Sequence, residues 1–132
     1  MAYRLRFHDA ALDDLQNVPA GRARSLLRAA LERLEREGPC IGVRLRGDGR
    51  RRFCRISVPE HARNTWRVIY QWPPEPGDPA DVIAVWVVRE EADDTETNVY
   101  HQLDVLLERE GVEVGPWSAG DRRLRCCEDA PA

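Results

Sequence analysis

The chain has no lysine; every one of its twenty positively charged side chains is arginine. A guanidinium keeps its proton in a protein, so arginine can bind phosphate but is a poor acid or base. Proton chemistry must come from the three histidines, the three tyrosines or the carboxylates. Long apolar runs are missing too. No window of 18 residues is free of charge, and arginine recurs through "MAYRLRFHDA" (residues 1–10). The reading therefore expects no membrane span, no signal peptide, no membrane partner and a cytoplasmic setting. Cysteine is scarce, at positions 40, 54, 126 and 127. None forms a C-x-x-C pair, and His8, His61 and His101 lack zinc spacing, so no metal is expected. In a cytoplasmic chain the cysteines are expected as free thiols, with Cys54 in the core.

What is present is ordinary globular composition, 42% hydrophobic and 33% charged over 132 residues. That fits one domain with a single modest core. The formal charge of −3 hides a division. Residues 1–70 hold fifteen arginines against eight acids, whereas residues 71–132 hold five against fifteen. A basic front half suits a polyanionic partner, and it equally suits helix faces that are merely solvated.

Hydrophobic periodicity divides the chain into elements. "YRLRF" alternates Tyr3, Leu5 and Phe7 with Arg4 and Arg6, a half-buried strand. Asp9 is the expected N-cap of a short helix bearing Ala11, Leu12, Leu15 and Val18, which Pro19 ends. From Arg22 to Glu37, Leu26, Leu27, Ala30, Leu31 and Leu34 recur at helical spacing, and Gly38–Pro39 stops the run. The period then becomes two. Cys54, Ile56 and Val58 alternate with Phe53, Arg55 and Ser57; Trp66, Val68, Tyr70 and Trp72 alternate with Arg67, Ile69 and Gln71. Four prolines make residues 73–81 a loop. "VIAVWVV" (82–88) reads as a central strand buried on both faces. Asp94 or Thr95 is expected to cap a last helix with Val99, Leu103, Leu106 and Leu107 on one face, ended by Gly111.

The order predicts an α+β domain: an N-terminal strand, a helical hairpin, an antiparallel β-meander and a C-terminal helix. The helices are expected to pack on one sheet face and leave the other partly open. Residues 111–132 show no clear period and read as a C-terminal tail, docked or disordered.

The segments "MAYRLRFHDAALDDL", "RLRG", "WRVIYQW" and "VWVVRE…VYHQLDVLLER" resemble, in order and spacing, the RelE/ParE family of bacterial toxins, and more its RelE branch. The resemblance covers residues 1–110 and implies a RelE-like fold for that toxin domain. It implies a toxin of a type II toxin–antitoxin system that cleaves mRNA in the ribosomal A site without a cofactor. The implied partners are a cognate antitoxin protein, the ribosome and mRNA. Carried over by position, the catalytic basic residues fall on Arg55, Arg67 and Arg89, and the tyrosine on Tyr100. The second basic position of that first meander strand falls on Ser57, which has no charge. Arg44, Arg46, Arg52, Ser57 and His101 are the further candidates for touching RNA.

Metal-independent cleavage uses the 2′-hydroxyl as nucleophile on the adjacent phosphate. It requires in-line geometry, stabilisation of the phosphorane oxygens, and proton transfer off the 2′-oxygen and onto the leaving 5′-oxygen. Arginine meets the second demand, because its planar fork pairs two phosphate oxygens. Tyr100, His101, His61 and nearby carboxylates are candidates for the proton steps, with Tyr100 ranked above His101. Neighbours on a helix diverge by about 100°, so Tyr100 and His101 are not both expected at one phosphate. Plainer roles compete with these. Arg55 and Arg67 can cover an exposed sheet face, Arg89 can pair with Glu90 or Glu91, and Tyr100 can be core packing. Two other functions stay open: a ParE-like DNA gyrase inhibitor without nuclease activity, toward which Ser57 points, and a non-toxic RelE-like protein-binding module, toward which the acidic back half points.

Overall fold

Strand β1 (Arg4–Phe7) runs straight into helix α1 (Asp9–Asn17). The computed structural model describes residues 3–45, 52–59, 65–72, 74, 77–90, 99–109 and 128–129. His8, not Asp9, caps α1: its backbone is extended and its Nδ1 accepts from the Ala10 N–H. Asp9 is instead the first helical residue, where a carboxylate favours the positive end of the helix dipole. Helix α2 spans Arg22–Glu37, the run its leucine spacing predicts. It stops at Gly38, whose φ of 94° suits glycine alone.

A 3-10 turn (Pro39–Ile41) leads to β2 (Val43–Arg44). β3 (Phe53–Pro59), β4 (Thr65–Gln71) and β5 (Val82–Glu90) form the antiparallel meander. Helix α3 (Val99–Arg109) and β6 (Glu128–Asp129) complete the described elements. Among the described residues the strands make one mixed sheet, ordered β1-β5-β4-β3-β2-β6. β1 joins β5 in parallel, and β6 joins β2 in parallel, so residues 128–129 of the tail sit at the sheet edge. The expected cap at Asp94 or Thr95, the stop at Gly111, the pair Cys126–Cys127, Arg46 and His61 lie outside the described residues.

The helices do not share one sheet face, as the alternation had suggested. Cys54, Ile56, Val58, Trp66, Val68, Tyr70, Ile83 and Val85 form one core with Ala11, Val18, Leu27 and Leu34 of α1 and α2. Phe53, Ile69, Trp86 and Val87 form a second core with Val99, Leu103, Leu106 and Leu107 of α3. The reason lies in β5, which is apolar on both faces and therefore needs a cover on each. A sheet with one open face would leave Ile69 and Val87, both fully buried here, in water.

β5 also contains the local feature that decides the site. Ile69 faces Val87 across the β4–β5 ladder, but Tyr70 faces Val85. Trp86 is thus the extra residue of a β-bulge, which reverses the side-chain alternation beyond it. Trp86 stays fixed by stacking on His8, by an edge contact from Phe53, and by donating its indole N–H to Gln71 Oε1 at 3.2 Å.

The expectation of free thiols holds for Cys54, a fully buried thiol, and fails for Cys40. Cys40 is exposed on the 3-10 turn and is half of a disulfide. An exposed sulfur on a turn can be reached by a second sulfur, whereas the two cores enclose Cys54. Among the described residues no helix is long and apolar enough to cross a membrane.

Candidate functional site

Ser57, Arg67 and Arg89 form a straight row across β3, β4 and β5. Ser57 faces Arg67 in the β3–β4 register, and Arg67 faces Arg89 in the β4–β5 register. Direct register partners share a sheet face. Ile69 and Val87, two positions along the same strands, lie under α3, so the row lies on the α3 face. Arg89 owes its place to the bulge. With unbroken alternation it would share the face of Val85, on the opposite side from Arg67.

The next row carries Arg55, which faces Val43 of β2 and Ile69 of β4. Its Nη1 donates to the Tyr100 hydroxyl at 2.8 Å. Tyr100 is half-buried in the first turn of α3, anchored beside the fully buried Val99. The Arg55 Nε is shielded from solvent and donates to nothing in the structure. A buried guanidinium N–H without an acceptor is costly, and an anion arriving at this face would relieve it. The close approach of the chain leading into β2 is permitted by Gly42, where a Cβ would lie 2.6 Å from the Arg55 carbonyl oxygen.

Asp14 is the buried partner of this face that sequence reasoning missed. It reads as one more helical acid beside Asp13, yet only 7% of its surface is exposed. Its Oδ1 accepts from Arg89 Nε at 2.9 Å, and its Oδ2 accepts from the Val88 N–H at 3.1 Å. β1 explains why that N–H is available. Its pairing with β5 ends at Phe7 and Val85, leaving the rest of the β5 edge to α1. Burial pushes the Asp14 carboxyl above the usual aspartate range, and the bonds from Val88 and Arg89 offset this only in part. The one available signal was position: residue 14 falls on the same helix arc as Ala11, Leu15 and Val18.

The other RNA-binding candidates scatter. Arg44 faces Cys54, so it belongs to the opposite face; it is 3% exposed and its Nη1 donates to the Trp72 carbonyl at 2.9 Å. It is a structural residue, and this corrects its reading as an RNA contact. Arg52 precedes β3 with the parity of Cys54, again away from Arg55, and its carbonyl accepts from the Trp72 N–H. His101 is exposed and joins none of the hydrogen bonds of the rows. Arg89 does not pair with Glu90, since Asp14 holds it.

The described site therefore contains Arg55, Arg67, Arg89, Tyr100 and Ser57 on one face. Among the described residues no three His, Cys, Asp or Glu side chains converge as a metal site would. The arrangement can bind a chain of phosphates on its arginines and present a phenol at one end. No protein-family model, curated protein or solved structure matches the chain.

Proposed function

We propose that the chain is the RelE-like toxin of a type II toxin–antitoxin system, an endoribonuclease that cleaves mRNA on the ribosome and is held inactive by a cognate antitoxin. The observation that carries this reading is the convergence of Arg55, Arg67, Arg89 and Tyr100 on one sheet face. The α+β arrangement of strand, helical hairpin, meander and last helix is compatible with that family's fold.

In this reading the scissile phosphate lies over Arg67 and Arg55. The 2′-hydroxyl gives its proton to water and attacks phosphorus, the bond to the 5′-oxygen breaks, and a 2′,3′-cyclic phosphate and a 5′-hydroxyl result, the phenol regaining its proton from solvent afterwards. The guanidinium groups stabilise the extra negative charge of the phosphorane. The Tyr100 oxygen accepts from Arg55, and its phenolic proton is given to the leaving 5′-oxygen. Arg89 holds a neighbouring phosphate and thereby aligns the scissile one for in-line attack. The ribosome holds the RNA in line, which lowers the demand on the protein's own proton-transfer groups. The action takes place in the cytoplasm, where ribosomes and mRNA meet.

Expression from a tight promoter, with mapping of mRNA 5′ ends, tests the reading. Cuts at one position within the codon, lost in Arg67→Ala, are expected. Growth arrest with DNA damage and intact mRNA selects gyrase inhibition instead, the reading that the uncharged Ser57 favours. Normal growth with uncut mRNA selects a protein-binding module.

A further inference from the structure

The geometry points to Asp14 as a positioning residue that fixes Arg89 for its phosphate, a role that rests on the endoribonuclease reading. Asp14 occupies an inward position of an amphipathic helix and is nearly sealed from water. A buried carboxylate there is worse for folding than an apolar side chain, unless its bonds are needed.

One bond has a structural purpose: it satisfies the Val88 N–H at the uncovered stretch of the β5 edge. A neutral amide or hydroxyl would serve as well. The second bond needs the charge. Arg89 stands directly opposite Arg67, and like charges in register repel and splay apart. Asp14 holds the Nε side of Arg89 and sets the direction of its side chain. The two terminal nitrogens of Arg89 make no hydrogen bond in the structure and remain for an incoming phosphate. Asp14 touches no reacting atom in this arrangement; it acts through Arg89. The bulge at Trp86 and the early end of β1 serve the same result, since the first turns Arg89 onto this face and the second lets α1 reach it.

Asp14→Asn separates the two bonds, because the amide oxygen still accepts from Val88 while the charge is gone. Single-turnover cleavage of mRNA on programmed ribosomes is expected to slow by about ten- to hundredfold, with KM unchanged. In an Arg89→Ala background the same substitution should have no further effect. An unchanged rate, or an equal loss in the Arg89→Ala background, overturns the assignment. Asp14→Glu keeps the charge one methylene further out and serves if Asp14→Asn does not fold. A slower rate with unchanged KM is expected from it as well, and an unchanged rate overturns the assignment. A second readout does not require activity. The Arg89 Nε–H should give a protected NMR signal in the wild-type chain and lose it in Asp14→Asn. If the wild-type chain cuts no RNA, the cleavage reading fails on its own, and persistence of that signal in Asp14→Asn still overturns the positioning role.

Discussion

Arg67 and Arg89 face each other directly across β4 and β5, on the sheet face that also carries Arg55 and Tyr100. Two guanidinium groups in register are unfavourable for folding alone. Among the described residues, Asp14 supplies a buried counter-charge to Arg89, and the bulge at Trp86 turns Arg89 onto this face. Unfavourable placement of like charge is common where an anion is to be bound.

Tyr100→Phe removes the acceptor of Arg55 and the phenolic proton. The lost hydrogen bond should cost about 1 kcal/mol of stability. Cleavage should fall by about a hundredfold or more if the phenol gives its proton to the leaving oxygen. Affinity for a short RNA should change little, since the phenylalanine ring can still stack on a base. Thermal melts, single-turnover rates and fluorescence anisotropy on the same preparation measure the three quantities. Equal losses in affinity and rate would assign Tyr100 to binding alone.

Asp14 gives a pH dependence of definite sign. Its carboxyl binds a proton more readily in the folded chain than in the unfolded chain, because burial disfavours the charge. Its contribution is therefore fully present below the ordinary aspartate range and is lost as pH rises through the raised folded value. The stability of the wild type relative to Asp14→Asn should decline over that window and then level off. Melting temperatures of both proteins from acid to neutral pH check this. A relative stability that grows with pH would mean that the ion pair with Arg89 outweighs burial.

The two described cysteines should differ in reactivity for different reasons. Cys40 is exposed but disulfide-bonded, so alkylation should require reductant and no denaturant. Cys54 is a thiol but fully buried, so its alkylation should require denaturant and no reductant. Peptide mass spectrometry after differential alkylation distinguishes the two. Labelling of Cys40 without reductant would contradict its disulfide.

Much of the fold could be read from periodicity. The leucine spacing of α2 and the two-residue alternation of β3 and β4 each express one exposed and one buried side, which is what a pattern can carry. β5 could not be phased this way. A strand apolar on both faces looks the same with or without an extra residue, so neither the bulge nor the face of Arg89 was legible. The same two-sided burial was nonetheless the sign that helices must cover both faces. Among the candidates, the strand and helix positions of Arg55, Arg67 and Tyr100 were legible because each belongs to a clear element. Arg44 was misplaced because a buried guanidinium bonded to a carbonyl leaves no mark in the sequence. Asp14 was missed because its partners, Val88 and Arg89, are more than seventy residues away.

The most direct measurement is cleavage of a defined mRNA on programmed ribosomes by the purified chain, compared with Arg67→Ala and Arg44→Met at equal folded concentration. The wild type is expected to cut at one position within the A-site codon and to leave a cyclic phosphate. Arg67→Ala should lose the activity, and Arg44→Met, altered on the opposite face, should keep it. Intact mRNA with the wild type, or equal loss in both variants, would contradict a cleavage site built on the α3 face of the sheet.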